Sequence, residues 1–328
     1  MADDLTAAPT PGTARLAARD VPLPAALSDA ARAILSAPAL PPTAYPAVAD
    51  KDGWRRLIAQ RDAASAKMRE PYMARLRADV SAEPMAGVPV YVGRPQGERL
   101  LDTRKIVFDI HGGALLFGGG EGAVRFEAAA IALRTGRVTY ALDYRVPPDG
   151  PYPAALDDCI AVYKALLERF DAGRLVVSGT SAGGNLAAAL LLRARDEGLP
   201  MPAGVLLLTP ELDLTESGDT FHTLMGLDTV LRERLTLMNE VYAGGADLAH
   251  PYLSPLFGDV AGFPPTLLQA GARDIFLSNA IIMHRKLRKA GVRAELHVWE
   301  GMPHGGFGGL TPEDRELNAE MQAFIATL

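Results

Sequence analysis

The run Leu175-Val176-Val177-Ser178-Gly179-Thr180-Ser181-Ala182-Gly183-Gly184-Asn185-Leu186 constrains the fold more than any other stretch of this chain. An apolar, β-branched segment feeds a G-x-S-x-G pentapeptide, and an alanine- and leucine-rich helical pattern follows at once. In that setting the pentapeptide reads as a nucleophile elbow, a sharp strand-to-helix turn that lifts the Ser181 hydroxyl above the sheet edge. The serine backbone is strained there, so its neighbours must be small, and Gly179 and Gly183 let strand and helix approach closely. The helix that starts there points its free N–H groups and positive dipole end at any negative charge beside Ser181. Glycine-flanked serines are common in plain turns. The strand before and the helix after carry the reading.

The 328 residues suffice for a large core, and α/β domains of this size often fold as one unit with a small appendage. A net charge of −6 leaves no basic footprint, so nucleic acid and anionic membrane surfaces are not expected partners. No apolar run is long enough to span a bilayer. The single cysteine, Cys159, excludes an internal disulfide and suits a reducing compartment. Its setting, Leu156-Asp157-Asp158-Cys159-Ile160-Ala161-Val162-Tyr163, reads as a buried helix position with the two carboxylates on a solvated surface. Met1-Ala2-Asp3-Asp4-Leu5 is acidic and lacks an apolar stretch, so no signal peptide is expected and the cytoplasm is the expected location.

From residue 88 onward, strand and helix patterns alternate. Strands are expected at 88–92, 105–110, 137–142, 174–178, 205–208, 266–269 and 293–299, with helices at 122–134, 153–169, 182–197 and 277–290. Several strands are continuous apolar runs, as expected when helices cover both faces of a mainly parallel sheet. The fold class is α/β. Before this core, Pro9, Pro11, Pro22 and Pro24 break any early helix, 29–37 suits a short one, and Pro38, Pro41, Pro42 and Pro46 make a stiff connector. A charged helix is expected over 54–73. Between Leu214 and Pro264 there is no clear strand, only a helical pattern near 229–242, which suggests an excursion from the sheet. The expected organisation is an N-terminal helical cap segment (1–80), a core in two parts (81–212 and 256–328) and a cap insert (213–255).

A nucleophilic Ser181 needs a base, an acid to orient it, and donors for an oxyanion. His304 lies in Gly301-Met302-Pro303-His304-Gly305-Gly306-Phe307, a glycine-rich loop directly after the final strand. Active sites of open α/β sheets form beyond the carboxyl ends of strands, so this loop can reach Ser181. His284 sits in a cationic helix, His297 within a strand, and His222 and His250 in the insert. For the acid, Asp274 and Asp213 both follow strands and both satisfy the chain order; Asp274 is favoured because its strand is nearest in sequence to the histidine loop. Its role would be to fix the imidazole tautomer. Lys105–Ile110 ends in His111-Gly112-Gly113, where bare backbone can aim N–H groups at an oxyanion. Gly112, Gly113 and Ala182 are the expected donors, with His111 an anchor of that loop. Leu115, Leu116, Phe117, Leu214, Phe221 and Met225 are pocket candidates. No metal-ligand spacing is present.

These residues, with Asp143-Tyr144-Arg145 and Tyr152-Pro153-Ala154-Ala155, resemble the hormone-sensitive-lipase-like esterases of the α/β-hydrolase superfamily. The resemblance runs from about Val88 to the C-terminus. Thr180, with Ala294-Glu295-Leu296-His297-Val298-Trp299-Glu300-Gly301, resembles the subgroup whose elbow reads Gly-Thr-Ser-Ala-Gly. It implies a cofactor-free carboxylesterase with a helical cap, a preference for short acyl chains, homodimers, and Ser181, Asp274 and His304 as the triad. Two departures stand out: Ala114 replaces the family's usual third glycine, and Ile275-Phe276-Leu277-Ser278 replaces the usual proline and arginine after the acid. The expected reaction is ester hydrolysis through an acyl-enzyme. A lactonase, amidase or deacetylase would use the same triad, and a non-catalytic receptor on this fold is the remaining alternative.

Overall fold

The computed structural model describes residues 13–14, 20–37, 43–73 and 75–328. Pro9, Pro11, Pro38, Pro41 and Pro42 lie outside the described residues. Eight strands form one sheet: β1 (Ala78–Ala82), β2 (Val90–Pro95), β3 (Ile106–Ile110), β4 (Thr139–Leu142), β5 (Leu175–Thr180), β6 (Gly204–Leu208), β7 (Thr266–Gly271) and β8 (Ala294–Trp299). Their order across the sheet is β1-β2-β4-β3-β5-β6-β7-β8. The β1–β2 and β2–β4 pairs are antiparallel, and the remaining pairs are parallel. The sheet is therefore mostly parallel, as expected.

The helices are α1 (Asp29–Leu35), α2 (Lys51–Met73), α3 (Glu121–Thr135), α4 (Ala154–Arg169), α5 (Ala182–Asp196), α6 (Thr220–Thr223), α7 (Thr236–Ala243), α8 (Leu277–Lys289) and α9 (Pro312–Ala326). On β5, Leu175 and Val177 face the core that holds residues of α4, α5 and α8, whereas Val176 faces a second core built with α1 and α9. Successive strand side chains point to opposite faces, so a strand covered on both sides reads as an unbroken apolar run. The alanine- and leucine-rich α5 is buried almost along its whole length, beside β5, β3 and α4.

Three features depart from the sequence reading. Strand β1 is an additional antiparallel edge strand, half-exposed along its length. Helix α9 is also additional; it starts at a capping box in which Thr311 accepts from the Asp314 N–H and Asp314 accepts from the Thr311 N–H. The helix expected near 229–242 is α7, Thr236–Ala243, so that expectation began too early, and the insert also holds the short α6.

The topology gathers the chemistry at one edge. Ile110 on β3 pairs with Gly179 on β5, and Thr180 pairs with Leu208 on β6. Strands β7 and β8 follow in the same direction. The loops carrying His111, Ser181, Asp274 and His304 therefore leave the same end of adjacent parallel strands.

Candidate active site

Ser181 stands between β5 and α5 with φ +59° and ψ −122°, a backbone conformation that a side chain other than hydrogen rarely adopts. The turn closes because its neighbours lack side chains. A Cβ on Gly179 would lie 2.1 Å from the Gly183 carbonyl oxygen, and one on Gly183 would lie 1.9 Å from that of Ile110. The Ser181 N–H donates to the Leu208 carbonyl at 2.8 Å, which pins the elbow to the end of β6.

The histidine loop after β8 places His304 Nε2 2.8 Å from Ser181 Oγ. On the far side of the ring, His304 Nδ1 lies 3.1 Å from Asp274 Oδ1. A carboxylate only accepts, so Nδ1 carries the proton and Nε2 is free to accept from the serine. All three residues are buried, and the ring of Phe276 meets the imidazole edge-on at 4.9 Å. Asp274 Oδ1 also accepts from the Phe276 N–H at 2.8 Å. Burial pulls the imidazole's pKa down, but the Asp274 charge and hydrogen bond, helped by Asp228 and Glu211, more than offset it, and the net shift is upward. Asp213, the rival acid, is instead consumed by its own turn: its oxygens accept from the amides and hydroxyls of Thr215 and Ser217. The loop is held from below, where the Phe307 N–H donates to Asp314 of α9 at 3.0 Å.

Across the site, the turn after β3 runs its backbone past Ser181. A Cβ on Gly112 would lie 2.8 Å from the Thr180 carbonyl and 3.2 Å from Ser181 Cβ. Gly113 has φ +128°, and a Cβ there would lie 2.0 Å from the Phe117 carbonyl. Among the described residues, the N–H groups of Gly112, Gly113 and Ala182 donate to no protein acceptor. Ala114 and the buried Leu115 also have positive φ, +52° and +62°, so the position of the usual glycine remains left-handed despite its methyl group. Such residues cost about 1–2 kcal/mol each, and the surrounding packing must hold them.

That packing is specific. Burial lowers the pKa of His111, whose Nδ1 donates to the Gly112 carbonyl at 2.8 Å. Its ring stacks on Tyr144 at 4.1 Å. Asp62 of α2 accepts from the Gly118 N–H and Asp143 from the Gly120 N–H. Next in the chain, Arg145 forms a two-pronged ion pair with Asp158. Asp158 is thus buried rather than solvated, correcting the expectation for that pair of carboxylates.

A cavity of about 830 Å³ opens above Ser181 and His304. Its walls include Arg61, Ser65 and Met68 of α2, and Thr229, Leu231 and Met238 of the insert. Of the expected pocket residues, Phe117 lines it, whereas Leu115, Leu116, Leu214 and Phe221 are buried in the core. Met225 is half-buried and is not part of this lining. Two buried carboxyls near the triad escaped the sequence reading. Glu211 donates its N–H to the Ser181 carbonyl, and Asp228 lies against the His304 loop. A charge inside the apolar run Thr209-Pro210-Glu211-Leu212 was the signal for the first; Asp228 had none.

Residues 107–307 match the family model described as the α/β hydrolase fold. The chain belongs to this family. It is similar to the crystal structure of the esterase E25, with 33% identity, a TM-score of 0.89, and coverage of 96% of this chain and 98% of that one. An esterase from the bacterial hormone-sensitive lipase family is similar at 28% identity and a TM-score of 0.75, covering 92% of this chain and 99% of that one. An acetyl-hydrolase of Streptomyces hygroscopicus is 34% identical over 231 residues, 69% of this chain and 76% of that protein. The family member described here is a carboxylic ester hydrolase of the hormone-sensitive-lipase-like group. Among its described residues no helix is long and apolar enough to cross a membrane.

Proposed function

We propose that this serine carboxylesterase hydrolyses short-chain acyl esters with Ser181 as nucleophile, His304 as general base and Asp274 as the acid that orients it. The single observation that carries the reading is the 2.8 Å approach of His304 Nε2 to Ser181 Oγ, beside undonated backbone amides. Ser181 Oγ attacks the ester carbonyl while its proton passes to His304 Nε2. The oxyanion is held by the N–H groups of Gly112, Gly113 and Ala182, the last at the positive end of α5. His304 then protonates the leaving alcohol, and water repeats the sequence on the acyl-enzyme to release the acid.

The α2 segment and the 213–255 insert both line the cavity, which supports their assignment as a cap over the site. The Gly179-Thr180-Ser181-Ala182-Gly183 elbow supports placing the enzyme in the subgroup that carries that sequence. The fully buried Cys159 supports a cytoplasmic enzyme, and the homodimer stands only as what the family resemblance implies.

Ser181→Ala, assayed with p-nitrophenyl acetate and butyrate, is expected to lose hydrolysis to the background rate. A fluorophosphonate probe is expected to label the parent protein once, on the peptide containing Ser181. Undiminished turnover by the variant, or labelling at another residue, would overturn the assignment.

A further inference from the structure

Asp228 is a buried carboxylate, 2% exposed, that arrives from the insert and not from the sheet loops that build the triad. It first folds its own segment: Oδ1 accepts from the N–H groups of Val230 and Leu231 at 2.8 and 3.1 Å. It then reaches both arms of the site. Oδ1 lies 3.4 Å from the His304 N–H, and Oδ2 lies 3.4 Å from the N–H of Ile275, the residue after Asp274. Among the described residues no lysine or arginine forms an ion pair with it. A buried carboxylate without a cation is costly to keep charged. The cation within its reach is the imidazolium that His304 becomes when it takes the serine proton.

We propose that Asp228 is a positioning residue for His304: it fixes the amides on either side of the His304–Asp274 pair and sets a second negative charge beside the ring. The insert thereby holds the base in register, and the cap segment that lines the cavity is mechanically joined to the proton carrier. The titratable groups facing His304 are Asp274 from the loop after β7, Glu211 from the segment after β6, and Asp228 from the insert. Their separate origins allow the contribution of each to be removed singly.

The inference rests on His304 being the base, so that reading is tested apart: His304→Ala must abolish turnover. The pH profile of kcat/KM then tests Asp228. Asp228→Asn keeps an acceptor and removes the charge. Its acid limb is expected to move down by about one pH unit. Its plateau kcat is expected to fall about ten- to a hundredfold with KM little changed. Asp228→Glu keeps the charge but displaces it, so kcat falls while the limb stays near that of the parent. An active Asp228→Asn enzyme whose acid limb coincides with the parent's would overturn the proposal, whatever its melting temperature. Failure of both variants to fold would overturn it too, since the carboxylate would then serve the fold alone.

Discussion

The phenol of Tyr144 donates to the carbonyl of His111 at 2.9 Å while its ring stacks on the His111 imidazole at 4.1 Å. One side chain thus grips the His111-Gly112-Gly113 turn at two points, through a directional bond and a flat contact. Tyr144→Phe removes the first and keeps the second. We expect a loss of about 1–2 kcal/mol in stability, because a buried carbonyl loses its donor. Plateau kcat should fall several-fold with little change in KM. Thermal unfolding and steady-state kinetics on one ester check both.

Asp274→Asn keeps the shape of the acid but can present an N–H to His304 Nδ1, favouring the wrong tautomer. We expect kcat to drop about 10⁴-fold. In the parent enzyme, burial lowers the His304 pKa while Asp274, Asp228 and Glu211 raise it further than burial lowers it. The proposed base acts as the neutral ring, so kcat/KM should fall with decreasing pH through a value above the ordinary 6.5. The stability contribution has the opposite sense: the His304 pairing is fully present below the unfolded-state pKa and is lost as pH rises through the folded one. A pH–rate profile with its acid limb below 6.5 would contradict this.

Glu211 carries the reverse linkage. Burial, with smaller contributions from Glu216 and Asp213, pushes its carboxyl up to about 8. Between its ordinary 4.5 and that value the native state binds the proton that the unfolded chain has lost, so stability falls as pH rises and levels off above about 8. Glu211→Gln is expected to raise the melting temperature at pH 8 by an amount equivalent to a few kcal/mol and to leave it nearly unchanged at pH 4.5. Equal melting shifts at both values would refute the titration.

Gly183→Ala drives a methyl group to 1.9 Å from the Ile110 carbonyl oxygen, with backbone on both sides of the contact. We expect destabilisation of about 3 kcal/mol or more, together with loss of esterase activity. Gly173→Ala, where the added carbon meets nothing within 4 Å, is the control and should leave melting and turnover unchanged.

The order of chemistry along the chain was readable because tight turns leave a compositional trace. The elbow, the His111-Gly112-Gly113 turn and the Gly301–Phe307 loop all need small residues at fixed offsets from strands with continuous apolar runs. Strand β1 left no such trace: Ala78–Ala82 is a half-exposed edge with no apolar period. Helix α9 did announce itself through Thr311, Pro312 and Asp314, a capping pattern that the alternation of strands overshadowed. Asp158 and Asp228 illustrate the harder case. Their burial is decided by partners 13 and 76 residues away, Arg145 and His304, and no local pattern encodes a partner that distant. The choice between Asp213 and Asp274 turned on the same point, although Thr215 and Ser217, at two and four residues past Asp213, signal a self-satisfied turn.

Asp314 anchors the histidine loop through Phe307, and Phe307, Leu317 and Met321 share one apolar cluster. In chain order α9 follows every other part of the site. Substitutions on α9, a helix that does not line the cavity, therefore bear on where the imidazole of His304 comes to rest.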